Sequence, residues 1–558
     1  MDIKRTVLLV VFSLSLLMLW ENWNRYSNPP LPPSADSNAQ AAAPANKDTA
    51  LPQPSAAAPA PAIGGEVPAT AASAGAGDAI TLTTDLLKLE ISTVGGDITR
   101  VELLKHEDSK ETGNPVVLLQ KDINHTYVAQ SGLIGGDFPN HRSTFTARDG
   151  VRTLGSGDTL QLVLDSEQGG VKVTKTYTLR RGEYEVGIKH DIQNRSGNPI
   201  TPSVYAQLVR DDSKLGGDSY FYTTFTGPAI YTNAEKYRKV SFEDIEKGKN
   251  PVAARTAEGW VAMVQHYFVS AFTPVSKGEH ELFTRKVGPR LYAVGTIMPL
   301  GQVAPNSSAA HDGKFFAGPQ ESVMLEKFAT DFDLVKDYGW LTLIAKPIFW
   351  LMTQLHALLS NWGWTIIFLT ILIKLAFFPL SAASYRSMAK MKLVTPKMTA
   401  IRERHQGDPQ KMNAAMMELY KTEKINPLGG CLPIVVQIPV FIALYWVLLA
   451  SVEMRHAPWL GWIHDLSAPD TLFGTLPGLN MPIGLLPIIM AVSMYVQTKL
   501  NPTPPDPIQA KVMMIMPLVF SFMFFYFPSG LVLYWVVNNI LSIAQQWVIT
   551  KQSETRKA

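Results

Sequence analysis

Residues 361–380, NWGWTIIFLTILIKLAFFPL, constrain the fold of this chain more than any other stretch. The run is almost wholly apolar and has the length a helix needs to cross a bilayer. Trp362 and Trp364 stand at one end, where amphipathic rings favour the membrane interface. Yet Lys374 lies well inside the run. A cation at the bilayer centre costs at least about 2.5–3.5 kcal/mol, which makes it a functional candidate by default.

Four more apolar runs follow, at about 432–451, 481–496, 512–527 and 531–549. Pro528-Ser529-Gly530, a turn signal, separates the last two. One helix across both would be about 57 Å long, almost twice the hydrocarbon thickness of about 30 Å, so two spans fit better. Near the N-terminus, residues 6–20 (TVLLVVFSLSLLMLW) are uncharged, between Lys4-Arg5 and Glu21. They form a cleaved signal peptide or an uncleaved anchor. No small-residue cleavage site follows directly, and Trp20, Trp23 and Tyr26 suit an interface, which favours an anchor over 1–27 with a cytoplasmic N-terminus. The expected fold class is therefore an α-helical polytopic membrane protein with six transmembrane helices.

Positive charge orients the spans. Residues 381–430 carry Arg386, Lys390, Lys392, Lys397, Arg402, Arg404, Lys411, Lys421 and Lys424. Residues 452–480 carry Arg455 against Glu453, Asp465 and Asp470. Lys499 and Lys511 mark 497–511, and Lys551, Arg556 and Lys557 make 550–558 a basic tail. By the positive-inside rule these basic segments and both termini are cytoplasmic, as an even number of spans requires. The net charge of +3 is too small to point to nucleic acid as the main partner. Cys431 is the single cysteine, so no intramolecular disulfide forms, and a buried inert thiol is expected.

Between the anchor and the core the composition changes twice. Residues 28–78 are dominated by Ala, Pro, Ser and Gly and read as a disordered Ala/Pro-rich linker. Residues 79–330 show period-two alternation, as in VKVTKTYTL (171–179) and YEVGIKHDI (184–192), bounded by Arg181-Gly182 and NRSGN (194–198). Further strands are expected at 80–92, 159–164, 259–272 and 291–298. Many strands without helical periods predict a large antiparallel β-sandwich. Following an N-in span, it lies across the membrane, in the periplasm of a Gram-negative host. Its chemistry is sparse: His190, His266 and His280 share no metal-ligand spacing, and Gly95-Gly96 reads as a turn. Residues 331–360 carry Leu334, Val335, Tyr338, Leu341, Ile344, Phe349, Met352, Leu355 and Leu359 at roughly helical spacing, with Pro347 as a break. With tryptophans recurring along it, this segment is expected to be an amphipathic interfacial helix, packing on the sandwich being the alternative.

Depth sharpens the question about Lys374, which lies about 9 Å from the cytoplasmic end of its span. Gln437 lies at a similar depth and Thr370 deeper. Ser521, Asn538 and Asn539 fall near the midplane, while Gln497, Gln545 and Gln546 lie close to the inner surface. The outer half of the bundle is almost wholly apolar. Polar groups at membrane depth face the bundle interior or water, so the pattern predicts a pocket open to the cytoplasm and sealed outward. The bland alternatives are that Lys374 snorkels to the interface and that Gln437 and the Asn pair tie helix to helix.

The cytoplasmic segment 381–430 predicts a helical hairpin. Asp408-Pro409 supplies an N-cap and a first helical position, NPLGG (426–430) a stop, and Pro396 a bend in the first arm. Met388, Met391, Met398, Met412, Met416 and Met417 cluster there, either as an ordinary hairpin core or as an adaptable surface for partners. The basic face meets anionic membrane lipids or ribosomal RNA, or is only solvated.

Four stretches carry a resemblance: MAKMKLVTPKMTAIRERHQGDPQKMNAAMMELYKTEKINPLGG (388–430), NPLGGCLPIVVQIPVFIALYWVLL (426–449), WIHDLSAPD (462–470) and FPSGLVLYWVVNN (527–539). They resemble the YidC/Oxa/Alb family of membrane protein insertases, in its six-span Gram-negative form. The resemblance implies an inner-membrane location, a five-helix insertase core over 361–549 and a periplasmic β-supersandwich similar to sugar mutarotases but without known catalysis. It implies nascent membrane proteins as clients and work alone or with the SecYEG and SecDF translocon components. It also implies a hydrophilic groove holding one positive residue; most members have arginine where this chain has Lys374. Lysine keeps the charge and loses the planar two-pronged fork. Positions that contact substrate in the family match Gln437, Ile438, Phe441, Tyr534 and Trp535, and Thr370 matches a position facing the sixth span.

The expected function is an energy-independent insertase and chaperone, not an enzyme. No ATP motif is present, and no cofactor, metal or small-molecule substrate is expected. Two rivals from other classes are a transporter of a small anion bound at Lys374 and a carbohydrate-active enzyme over 79–330 on a membrane anchor.

Overall fold

The computed structural model describes residues 78–108, 113–213, 224–249, 253–276, 278–405, 407–423, 432–477, 481–501 and 507–555. The expected N-terminal anchor (1–27), nearly all of the linker, the NPLGG helix stop and Cys431 lie outside the described residues. The chain divides into a β unit ending at Asp337 and a helical unit beginning at Tyr338.

The β unit is a sandwich of two nine-stranded sheets whose named strand pairings are all antiparallel. Strands β1 (Ala79–Thr83), β2 (Leu87–Ser92), β3 (Ile98–Glu107), β4 (Pro115–Lys121) and β5 (Thr126–Ile134) form one end of the first sheet. Strands β6 (Thr146–Ala147), β7 (Thr159–Gln168), β8 (Val171–Arg180) and β9 (Glu185–Asn194) form one end of the second. The chain then returns to the first sheet with β10 (Ser203–Asp211) and crosses again with β11 (Gly227–Thr232) and β12 (Lys236–Lys239). A short helix α1 (Phe242–Glu246) precedes β13 (Ala253–Thr256), β14 (Gly259–Val264), β15 (Phe268–Pro274), β16 (His280–Gly288), β17 (Leu291–Pro299) and β18 (Ser308–Pro319). In β8 each residue from Val171 to Leu179 alternates between buried and half-buried, the pattern a strand packed on one face requires.

Two expected strands are hairpins instead. The run 80–92 breaks because the Thr84 hydroxyl accepts the Leu86 and Leu87 amides at 3.2 and 2.9 Å, a local turn that competes with the ladder. The run 259–272 breaks at residues 265–267, and Val264 pairs with Val269. The Gln320 side chain donates to the Gln265 carbonyl at 2.7 Å and holds that turn. After helix α2 (Ser322–Phe328), residues Phe332–Val335 form a 3-10 turn that packs on the sandwich, with Phe332 edge-on to Trp260 at 4.8 Å. The helical periodicity of 331–360 therefore covers two structures, since the long helix α3 (Thr342–Leu359) begins only at Thr342.

In the helical unit α3 is followed by α4 (Trp362–Ala376) and α5 (Phe378–Arg404). The expected straight span 361–380 is broken at Phe377, where α4 and α5 bend by 68°. Pro379 in the first turn of α5 has no N–H to donate to Leu375, so the helical ladder cannot run through. The first arm of the hairpin then runs uninterrupted through Pro396, and α6 (Pro409–Thr422) starts where Asp408 accepts the Lys411 amide at 3.1 Å. Next come α7 (Leu432–Ala450), α8 (Leu485–Leu500), α9 (Pro507–Phe524) and α10 (Ser529–Thr555), the last two divided after Phe524 near the expected Pro-Ser-Gly turn.

Two described helices, α3 and α10, are long and apolar enough to cross a membrane, and the bent α4–α5 pair makes a third. Residues 437–450, 485–500 and 510–524 are shorter apolar helices. Between α7 and α8 the buried Asp470 accepts the Trp462 indole and the Leu472 and Leu486 amides, capping the start of α8. Gly363 sits where an added Cβ would come within 2.1 Å of the Trp459 ring, so only glycine lets this loop close over α4.

Candidate functional site

Helix α10 organises the site. Asn538, Ser542 and Gln546 recur every fourth residue and so share one face of the helix. Each partners a different neighbour. The Gln437 amide on α7 donates to the Asn538 side chain at 2.8 Å. The Lys374 ammonium on α4 donates to the Ser542 hydroxyl at 2.8 Å, and that hydroxyl donates to the Asn538 carbonyl at 2.7 Å. Gln546 donates to Asn501 at 3.2 Å, and Asn539 donates to Ser493 of α8 at 3.1 Å. In an apolar surround, side chains of this kind find partners on neighbouring helices because an unpaired polar group is costly.

Beside this wall lies a cavity of about 230 Å³. The bend at Phe377 supplies one side of it, because it turns Ser381, Ser384, Tyr385 and Met388 of α5 toward α7 and α10. Gln437, Ile438 and Phe441 of α7, Gln497 and Asn501 of α8 and its C-terminal cap, and Tyr534, Trp535, Asn538, Asn539, Ser542 and Gln546 of α10 complete the lining. Phe441 packs edge-on against Trp535 at 4.6 Å and stacks on Tyr534 at 6.0 Å, so an aromatic wall faces the polar one. The Trp535 indole N–H is buried and has no hydrogen-bond partner among the described residues.

The cavity thus brings together Gln437, Gln497, Asn538, Asn539, Gln546, Ile438, Phe441, Tyr534, Trp535 and Met388 of the residues singled out in the sequence. Lys374 is 6% exposed and sits behind Ser542 rather than in the lining. Among the described residues no carboxylate pairs with it. Thr370 is buried and donates to the Ile366 carbonyl of its own helix at 2.6 Å, and Ser521 does the same to Pro517 at 2.7 Å. Neither lines the cavity. The methionines also divide. Met391 and Met416 pack on the buried pair Val394 and Met398 inside the hairpin, Met412 is half-buried and Met417 is exposed. Ser542, Tyr385, Ser381 and Ser384 were missed by reasoning from sequence. The four-residue spacing of Asn538, Ser542 and Gln546 was a readable signal for Ser542. The serines of α5 had none, since the bend that places them was not expected.

The β unit holds a second set of buried polar groups. Lys175 is fully buried on the core face of β8 and donates to the Gly95 and Ser131 carbonyls at 2.6 and 2.7 Å. His190 on β9 lies opposite His311 on β18, and His190 meets the Ser131 hydroxyl at 3.0 Å. Burial holds both imidazoles neutral: it pushes His190 well below its ordinary value and, with His280 nearby, His311 down to about 4. Among the described residues no cluster of His, Cys, Asp and Glu has metal-site geometry.

Comparison with known proteins matches residues 79–351 to a family described as the YidC periplasmic domain and residues 354–557 to one described as the 60Kd inner membrane protein. A protein of Janthinobacterium sp. (strain Marseille), named membrane protein insertase YidC, is 61% identical over 562 residues, 99% of each chain. Its namesake in Herminiimonas arsenicoxydans is also 61% identical over 99% of each chain. The chain belongs to the YidC family of membrane protein insertases. A namesake in Burkholderia multivorans is 51% identical, over 99% of this chain and 98% of its own. Family members such as these are named as insertases rather than as enzymes. Among solved structures, an active YidC insertase crystal structure is 19% identical, over 84% of this chain and 91% of its own, with a TM-score of 0.36. A galactose mutarotase related enzyme from Lactobacillus acidophilus is 9% identical, over 43% of this chain and 97% of its own, with a TM-score of 0.29. In this YidC family chain the two matched families meet between 351 and 354, inside α3.

Proposed function

We propose that the chain inserts and folds integral membrane proteins from the cytoplasmic side, with the cavity between α5, α7, α8 and α10 as an inner-leaflet groove. The observation that carries this reading is the pairing of a polar wall with an aromatic wall beside a buried cation that has no carboxylate partner among the described residues. A short hydrophilic tail of a nascent membrane protein, acidic in many clients, enters toward Lys374. The following apolar segment moves along Ile438, Phe441 and Trp535 into lipid. A groove through the inner half leaves roughly 15 Å of hydrocarbon to cross instead of about 30 Å. The membrane potential helps an acidic tail outward by about 2.3 kcal/mol per charge per 100 mV.

The topology that supports this mechanism has six spans: residues 6–20, the α4 segment, α7, α8, α9 and α10. Both termini are cytoplasmic and the β unit is periplasmic. Charge bookkeeping assigns α3 to the outer interface. The β unit follows an N-in span and 381–430 is strongly basic, so an odd number of crossings separates them, and α4 supplies it. The exposed Trp350 and Leu358 of α3 then face lipid. SecYEG, SecDF and the ribosome are the proposed partners, the last through the hairpin of α5 and α6 with its exposed Met417 and Leu393.

The test is an insertion assay in cells depleted of their own insertase and supplied with Lys374→Ala or Lys374→Glu. Clients with acidic tails are expected to insert at least about tenfold less well with either variant, the more so with Glu, because a like charge then lies behind the wall of their route. Normal insertion of such clients by both variants overturns the role of the groove charge.

A further inference from the structure

An ammonium has three donors, and among the described residues Lys374 places one, on a neutral hydroxyl. That hydroxyl is itself fixed. Ser542 donates its proton to the Asn538 carbonyl four residues back, which turns its lone pairs toward Lys374. Asn538 is in turn held by Gln437, so a continuous chain joins α4, α10 and α7: Lys374, Ser542, Asn538, Gln437. Ser542 lines the cavity and Lys374 does not, so the serine joins the cation to the groove.

Without Ser542, no hydrogen bond among the described residues holds the ammonium at this depth. Its flexible four-carbon stem would carry it toward the cytoplasmic interface, since Lys374 lies in the last turn of α4. We propose that Ser542 is the positioning residue that holds the Lys374 ammonium directly behind the groove wall, where its charge attracts an incoming carboxylate, and so sets the preference for acidic tails. This rests on the reading of the cavity as the client groove. The Ser542 hydroxyl binds no client in this account; it decides where the charge is met.

The full-length chain is tested in cells depleted of their own insertase, with one client in two forms, an acidic tail and the same tail with Asp and Glu changed to Asn and Gln. The readout is the ratio of acidic-tail to neutral-tail insertion, which a general loss of folding does not move. Ser542→Ala is expected to lower that ratio about tenfold, the scale of one hydrogen bond to a charged group. Ser542→Thr, which keeps the hydroxyl, is expected to restore it. Adding Ser542→Ala to Lys374→Ala is expected to lower it no further than Lys374→Ala alone. If Lys374→Ala lowers the ratio and Ser542→Ala does not, the positioning role is overturned and the groove reading stands. If Lys374→Ala leaves the ratio unchanged, the groove charge itself is overturned.

Discussion

Two buried lysines separate the two halves of this molecule. Lys175 in the sandwich donates to two backbone carbonyls, is attracted by the buried Asp97 carboxylate and lies 4.8 Å over the Phe145 ring. Lys374 in the helical unit rests on one hydroxyl beside an open cavity. The first cation is a staple that ties the Gly95 turn and β5 to β8. The second has one hydrogen-bond partner among the described residues, and that partner lines a cavity. Burial alone therefore does not distinguish a structural charge from one proposed to work; the number and kind of partners does.

The comparison breaks first at Lys175. Lys175→Ala takes a charged donor from two buried carbonyls, at about 1.5–3 kcal/mol each, so the β unit is expected to lose about 3–6 kcal/mol. Hydrogen exchange of the β8 and β9 amides in the full-length chain reads this directly. A loss under about 1 kcal/mol would remove Lys175 from the role of staple.

Acid sharpens it next. The folded value of His311 lies below the unfolded one, so the unfolded chain binds more protons as the medium acidifies. The stabilisation is complete above the unfolded value near 6.5 and falls until pH reaches about 4. Between pH 7 and pH 5 the β unit is expected to lose about 2 kcal/mol from this group. Exchange measured at both pH values checks the slope, and His311→Phe should make it shallower, with His190 supplying the part that remains.

The smallest effect is expected at the other lysine. Lys374→Met exchanges a buried cation for an apolar side chain of similar shape, a change that is often neutral or stabilising. Thermal unfolding in nanodiscs should place the helical unit within about 1 kcal/mol of the unchanged protein. A loss as large as that from Lys175→Ala would make both lysines staples.

The polar and aromatic residues of α7 and α10 were legible because each interrupts a long apolar run, where a polar side chain has few explanations. Lys175 was legible too and was passed over. In VKVTKTYTL it shares the inward face with Val171, Val173, Tyr177 and Leu179, and a charge on that face is as exceptional as one in a span. The two hairpins hidden in 80–92 and 259–272 were not legible from alternation, since period two continues across a tight turn between strands of the same face. The bend at Phe377 had a sign in Pro379, but the apolar count of 361–380 outweighed it. With the bend went Ser381, Ser384 and Tyr385, which follow the second axis and not the first. Lys374 likewise belonged to the right neighbourhood, but its position behind Ser542 depends on side-chain packing that no spacing encodes.

The joint at Phe377 also has a mechanical meaning. From it, α5 runs 27 residues to Arg404, a rod of about 40 Å that first walls the cavity and then carries the hairpin. A rotation of roughly 5° about the joint shifts Met388 by about 1 Å and the far end by about 3–4 Å. The rod is a reduction gear: coarse travel at the tip becomes fine adjustment at the wall, and a modest force applied at the tip arrives at the wall multiplied.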